Sequence, residues 1–393
     1  MNLTASLDLW VEYLIRFSHL VAGIAWIGSS FYFIWLDSAF TAPEAPRRNV
    51  DGELYMVHGG FYYLVEKRKI FPGELPAVLH WFKWEATLTV LTGYLLLIYL
   101  YYLKGASLLI GSETALTQSE AILLSLGLIV SGWMIYDSIW KYISSKLINT
   151  FLSALLLWGF VFINLHFFSA RGAFIQTGAM LGSMMLLNVW VRILPGQKKM
   201  ITDATQGKVP DYSFSLKAKT RSVHNTYFTF PVLFIMLSNH YPGLYNHPYN
   251  WQILIILLIS GALVRHAMVT KSPMERWTLL PAALGLLALI FVTATSGTPA
   301  LGKTSETITF REAHIIVQLR CLSCHGSHPT DEIFREAPKG VVLETEEQML
   351  KVLPQLHQQI VVGKTMPLAN KTKMTDEERS ILSAWITSKL SKN

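Results

Sequence analysis

The residues with the clearest chemistry lie late in the chain, where the motif CLSCH occupies positions 321–325. A C-x-x-C-H motif is the attachment site of a c-type haem. The thiols of Cys321 and Cys324 add to the haem vinyl groups, and His325 is placed to bind the iron from one side. These are the only two cysteines in 393 residues, so a tetrahedral zinc site lacks a second ligand pair, and a disulfide is the remaining alternative. The motif predicts an electron-transfer protein with one covalent haem c.

A second axial ligand is expected about forty residues beyond the motif, at Met366. Ligation by His325 and a methionine thioether raises the reduction potential of a haem. Around these ligands, residues 310–393 have the pattern of a small all-α class I cytochrome c domain. Its closing helix is predicted to begin at Thr375, because Glu378 three residues later completes a capping box. The competing iron ligands in this region are His328, Met349, His357 and Met374.

The elements that precede this domain are apolar. The chain is 51% hydrophobic and only 15% charged, against roughly 25% charged residues in soluble domains. Long apolar runs fill residues 1–297, a polar linker follows at 298–309, and residues 310–393 have ordinary soluble composition. Runs of about 20 residues can cross a bilayer, which predicts an all-α membrane bundle of eight spans. The predicted spans are 17–36, 82–103, 120–140, 147–168, 173–194, 224–240, 251–270 and 277–296.

The basic residues predict how this bundle is oriented. Nearly all Lys and Arg residues between spans fall in the loops 37–81, 141–146, 192–223 and 265–276, whereas the alternate loops hold only Lys104 and Arg171. Basic loops stay on the cytoplasmic side, so both termini and the cytochrome domain are predicted to be periplasmic in a bacterial inner membrane. The net charge of +7 is therefore explained by the membrane, and we expect no nucleic-acid partner.

Histidines inside the bundle fall into an outer and an inner layer. Ionisable residues in spans are costly and mark functional sites. The outer layer contains His19, His166 and His240. Imidazoles on facing helices suit a haem b close to the periplasmic haem c; the alternative is that these histidines make hydrogen bonds among interfacial loops.

The inner layer lies toward the predicted cytoplasmic side, where a polar or anionic substrate would arrive. It contains His80, His224, His266, Arg221 and Arg265. Arginine offers a bidentate fork to an anion, and neutral histidine is an acid or base near pH 7. The alternative is a basic anchor collar at the membrane surface. On the third span, Asp137 and Lys141 have the i, i+4 spacing of a local ion pair.

Three runs of the sequence resemble a known family. Residues 14–38, 80–85 (HWFKWE) and 221–242 (RSVHNTYFTFPVLFIMLSNHYP), with the ending at 366–379, are similar to the bacterial membrane-bound cytochrome-c urate oxidases, in which an eight-span domain is fused to a cytochrome c. The resemblance implies hydroxylation of urate to 5-hydroxyisourate, with water as the oxygen source. Two electrons would leave through the haem c to the respiratory chain, by way of a soluble cytochrome c or a terminal oxidase.

The resemblance and the residues together define a hypothesis and two rivals. Urate would bind between spans 2, 6 and 7, with His80, His224 or His266 as proton acceptor and Arg221 or Arg265 binding the anion. The first rival is a membrane cytochrome subunit that oxidises quinol and reduces its own haem c. The second is a membrane anchor that presents a cytochrome c to an oxidase and catalyses nothing.

Overall fold

The structure is a computed structural model that describes residues 3–103, 106, 108–111, 114–270, 272–295, 308–331, 334 and 336–390. Most of the described chain is helical. The predicted linker, 298–309, lies almost entirely outside the described residues, so its prediction is not tested.

The N-terminal part is a bundle of helices with short connections. Two π-helical segments interrupt it, Ile98–Tyr102 after the second helix and Asn188–Ile193 after the fifth, and a 3₁₀ turn at Pro273–Thr278 precedes the last helix. The helices are α1 (Leu3–Ala39), α2 (Trp84–Leu97), α3 (Gln118–Tyr142), α4 (Lys146–Phe167), α5 (Ala170–Leu187), α6 (Leu194–Thr205), α7 (Ser213–Ser238), α8 (Pro242–Tyr245), α9 (Asn250–Val269) and α10 (Leu279–Thr295).

Seven helical segments of the described chain are long and apolar enough to cross a membrane. They match seven of the eight predicted spans: Leu7–Ala39, Trp84–Tyr102, Gln118–Tyr142, Lys146–Phe167, Ala170–Thr205, Asn250–Val269 and Pro273–Thr293. The chain is therefore a membrane protein by helix length and composition. The remaining predicted span, 224–240, lies mostly in α7. This helix is not among the segments that are apolar enough to cross a membrane, since its first half carries Arg221, His224 and Asn225. The eight-span arrangement stays a prediction.

Helix α5 lies at the centre of the bundle and α1 at its edge. In the apolar window of the segment that begins with α5, 56% of the residues are buried, against 6% in α1. Small residues allow the close packing of α5 that membrane bundles use. A Cβ added at Gly178 would lie 2.7 Å from the Ile235 side chain on α7, and one at Gly132 on α3 would lie 2.7 Å from Met180 Sδ.

One element contradicts the prediction that the chain is all-α. Strands β1 (Val50–His58) and β2 (Phe61–Arg68) form an antiparallel hairpin in the first predicted cytoplasmic loop. Its two-residue turn is Gly59-Gly60, with φ of 60° and 82°. Positive φ at both central residues is the geometry of the tight hairpin turn that glycine favours, so alternating aromatic and β-branched residues on either side of this pair were the signal for the hairpin.

The C-terminal part is a separate helical unit with its own core. It consists of α11 (Phe310–Arg320), α12 (Leu322–His325), α13 (Glu346–Lys351), α14 (Leu353–Leu356), a π-helical segment at His357–Val362, two 3₁₀ turns (Pro338–Gly340, Leu368–Asn370) and α15 (Asp376–Leu390). Leu382, Trp385 and Ile386 of α15 are fully buried. The Thr375–Glu378 capping box is confirmed by reciprocal hydrogen bonds of 2.8 and 3.2 Å.

Candidate functional site

The predicted inner layer contains a buried ion-pair network centred on Asp137 of α3. The carboxylate accepts from both Nε (2.7 Å) and Nη2 of Arg192, and from Nη2 of Arg221 at 2.7 Å. The predicted local pair with Lys141 is wrong, since Lys141 Nζ donates to the hydroxyl of Tyr142 instead. Three segments are joined here, because Arg192 belongs to the π-segment after α5 and Arg221 to α7. Arg221 therefore forms an ion pair with the Asp137 carboxylate.

Tyr136 connects this network to a histidine. The Arg221 guanidinium lies 4.9 Å above the Tyr136 ring. The Tyr136 hydroxyl accepts from Asn188 Nδ2 at 3.1 Å and lies 2.6 Å from Nδ1 of His224. Because a hydroxyl oxygen accepts up to two hydrogen bonds, Nδ1 of His224 can donate to Tyr136 beside Asn188. The sequence analysis missed Tyr136 and Asn188.

Arg265 on α9 has a different environment from Arg221. Only 2% of Arg265 is exposed, and its guanidinium lies 3.9 Å from the centroid of the Phe31 ring on α1. Within the described chain, neither Nε nor Nη2 of Arg265 has a hydrogen-bond partner. These two nitrogens form one edge of the guanidinium, which is the fork that binds planar acceptors bidentately. A buried donor pair without a partner requires an explanation.

Two acceptors in the same layer are also without partners. Glu85 Oε2 on α2 and Asn188 Oδ1 in the π-segment are buried and make no hydrogen bond to the described residues. Asn188 is fully buried and donates to Asn225 Oδ1 at 2.9 Å, and Asn225 in turn donates to Met185 O. These unpaired groups thus lie on three segments of the bundle, α2, the π-segment after α5 and α9, in its predicted inner layer. Such groups fit a ligand that has both carbonyl and N–H groups.

The other predicted inner histidines differ in their positions. His266 Nδ1 lies 2.5 Å from the Tyr227 hydroxyl, and its Nε2 lies 3.4 Å from a Glu275 carboxylate oxygen. His224 lies on α7, and His266 lies on the neighbouring helix α9. By contrast, His80 is exposed in the loop before α2, where its ring contacts Phe82. The flanking residues of that loop line a cavity of about 660 Å³ against α6.

The predicted outer histidines are held by separate elements. His19 on α1 lies 3.0 Å from Thr89 O and 3.2 Å from Thr92 Oγ1 through its Nδ1, and packs against Gly93. A carbonyl only accepts, so Nδ1 carries the proton and Nε2 is left as a ligand atom. His166 is exposed at the end of α4, and His240 lines a cavity of about 390 Å³ beyond α7. Among the described residues, the contacts of His19 are to α2.

One contact of the C-x-x-C-H motif would suit a histidine that ligates iron. Nδ1 of His325 donates to Val341 O at 2.8 Å, which leaves Nε2 for iron. Cys321 is buried in the domain core, and Met366 packs against the same core while staying partly exposed. The competing residues Met349 and Met374 are buried core members. The residues present therefore fit a haem held through Cys321, Cys324, His325 and Met366.

The two thiols are poorly suited to the chemistry of a thiolate. Burial raises the pKa of the Cys321 thiol to about 12, and burial also raises the pKa of Cys324. Among the described residues, no group of three or more His, Cys, Asp or Glu side chains could hold a metal ion.

Comparison with known proteins gives one match. The family model described as "Urate oxidase N-terminal" matches residues 5–295. This range contains the whole bundle, including Arg265, the Asp137 network and the outer histidines, and it ends before the C-terminal unit. No curated protein and no solved structure matches the chain.

Proposed function

Because the chain belongs to the urate oxidase N-terminal family, which makes it a urate-related oxidoreductase, we propose that it hydroxylates urate to 5-hydroxyisourate. In this reaction a bond forms between C5 of urate and an oxygen from water, two protons go to bases, and two electrons leave. The electrons would pass to a covalent haem c and then to a soluble cytochrome c or a terminal oxidase. The substrate would come from the cytoplasm, at the inner layer of an eight-span bundle.

The observation that carries this proposal is the unpartnered guanidinium edge of Arg265. Urate is planar and is a monoanion at neutral pH, so a buried bidentate fork matches its carbonyl and ring nitrogen acceptors. Phe31 holds the guanidinium from one side and provides an aromatic wall. The unpaired oxygens of Glu85 and Asn188 would accept from the N–H groups of the substrate. The unpaired atoms of Arg265, Glu85 and Asn188 would then each gain a partner.

Two histidines can take the protons. When Nδ1 of His224 carries its proton and donates to the Tyr136 hydroxyl, Nε2 is the basic nitrogen that would accept a proton. The Tyr227 hydroxyl and the Glu275 carboxylate hold His266 at both ring nitrogens, so His266 would pass a proton toward Glu275 and the predicted cytoplasmic surface. His80, exposed in its loop, is better placed at the approach to the site than in it.

The cofactors belong to the same proposal. When bound, haem c takes up one electron at a time. Cys321 and Cys324 would hold it covalently, and Nε2 of His325 and the thioether of Met366 would be its protein ligands. Nε2 of His19 is also free to ligate a haem b in the bundle, with His166 or His240 as the proposed second ligand.

The source of the oxygen tests this reaction. In this test, the purified protein is incubated with urate and an artificial electron acceptor in ¹⁸O-labelled water without O₂. We expect one ¹⁸O atom in the product and no hydrogen peroxide. A requirement for O₂, or peroxide formed in step with urate loss, contradicts the proposal. If a reduced quinol supplies electrons and urate does not, the quinol-oxidising alternative is correct instead.

A further inference from the structure

The C-terminal unit meets the membrane bundle at a specific polar contact. Asn246, in the loop between α8 and α9, is 4% exposed. Its Nδ2 donates to Gln359 Oε1 at 3.2 Å and lies 3.4 Å from Thr365 Oγ1. Thr365 also donates to the same oxygen of Gln359. Two residues of the C-terminal unit are thus hydrogen-bonded to one buried side chain of the bundle.

The two surfaces approach each other so closely that one position admits only glycine. A Cβ placed on Gly363 would lie 2.3 Å from Asn246 Cβ and 2.4 Å from its Cγ. Real Cβ atoms do not tolerate such distances, so any larger residue would push the surfaces apart. The loop that carries Asn246 is itself fixed, because Asn246 N donates to Pro242 O at 2.9 Å and Asn250 Nδ2 donates to Tyr245 O at 3.1 Å.

The contact lies directly beside the proposed iron ligand. Thr365 precedes Met366 in the chain, and Met366 N donates to Gln359 O at 3.1 Å. The π-segment His357–Val362 and the end of α10 enclose the adjoining cavity of about 390 Å³, which His240 also lines. The bundle therefore contacts the C-terminal unit on its Met366 side.

We propose that Asn246 and Gly363 form a docking contact that holds the haem domain on the bundle with its Met366 side facing the membrane. This inference rests on the proposed function, because the purpose of the docking is to bring the electron acceptor close to the site of urate oxidation. The contact would shorten the path of each electron from the site of urate oxidation to the haem. No other protein would be needed for this transfer. Asn246 and Gly363 are positioning residues, since neither touches substrate or iron.

Disulfide formation tests the docking without any substrate. The full-length protein carries Asn246→Cys and Thr365→Cys, with a protease site inserted between residues 296 and 307. Asn246 Nδ2 lies 3.4 Å from Thr365 Oγ1, so a small adjustment brings the two cysteines within the reach of a disulfide. After cleavage, we expect the two parts to stay joined on a non-reducing gel. Gly243→Cys with Thr365→Cys is the control, because no atom lies within 4 Å of a Cβ at Gly243. Equal joining in both variants, or in neither, overturns the proposal.

Rapid mixing with urate tests the purpose of the docking. We expect Gly363→Val to slow urate-driven haem reduction at least tenfold at unchanged haem content and visible spectrum, whereas Gly243→Ala keeps the wild-type rate. The oxidised 246–365 disulfide variant should also reduce at the wild-type rate. An unchanged rate in Gly363→Val shows that the contact does not control electron transfer. If the disulfide forms but urate fails to reduce wild-type haem, the docking stands and the proposed substrate is wrong.

Discussion

Two buried arginines in the same layer of the bundle have opposite roles. Arg221 is paired with Asp137, which also binds Arg192. Arg265 has no carboxylate partner among the described residues and lies against an aromatic ring. Burying a charge without a partner is costly, so Arg221 fits a structural role and Arg265 fits a ligand-binding one. The sequence presents both as equal candidates, and only their surroundings distinguish them.

Replacing Arg265 by methionine should weaken urate binding without destabilising the fold. A hydrogen bond to a charged group is worth about 1.5–3 kcal/mol, so losing the two bonds of the fork should raise KM for urate roughly 100-fold or more. Removing an unpaired buried charge should leave the melting temperature equal or higher. Arg276→Met is the control, because Arg276 is exposed at the same end of the bundle. A lower melting temperature with unchanged KM would make Arg265 a structural residue.

Replacing Asp137 by asparagine should have the reverse effect on stability. The change leaves two guanidinium groups without their carboxylate, and breaking a buried ion pair costs about 3–5 kcal/mol. Thermal unfolding in detergent should therefore show a large loss for Asp137→Asn. Lys141→Ala should change the free energy of unfolding by less than about 0.5 kcal/mol, although the sequence suggests that Lys141 is the partner. Equal losses in the two variants would contradict the observed pairing.

At the scale of the element, the layer is assembled from helices that lie far apart in sequence. Asp137 is 55 residues from Arg192 and 84 from Arg221, so local spacing points to Lys141 and misses both. Apolar runs and the Thr375–Glu378 capping box are local properties, and seven of the eight predicted spans and the capping box are confirmed. The hairpin was missed because its one strong signal, Gly59-Gly60, occurs in a loop between long helices. Asn188 lies in a π-segment, a feature that often marks functional sites and has no sequence signature.

The central position of α5 predicts different effects at two of its glycines. Gly178 contacts Ile235 and Met236 on α7, whereas nothing lies within 4 Å of a Cβ at Gly182. Gly178→Val should separate α5 from α7 and cost about 1–3 kcal/mol through overpacking. Gly182→Val, on the same helix, should leave stability nearly unchanged. We would compare the two by denaturant titration in detergent, and similar stabilities would show that α5 does not pack as closely as described.

At the scale of the whole molecule, the chain joins a membrane bundle to a soluble helical unit, and each half supplies one part of the proposed reaction. The bundle offers a buried fork for a planar anion, and the C-terminal unit offers ligands for a covalent haem. The change in composition near residue 300 predicts a domain boundary there. The face on which the two halves meet was not, because the Asn246–Gly363 contact joins residues that no local pattern relates.

The central claim is that urate is the electron donor to the haem on Cys321 and Cys324. The most direct measurement is the visible spectrum of the purified, oxidised protein after anaerobic addition of urate. We predict that the absorption band of reduced c-type haem appears, and that the Arg265→Met variant needs far more urate to produce it. If urate leaves the spectrum unchanged while dithionite reduces the haem, the haem is intact but urate is not its donor, and the claim is contradicted.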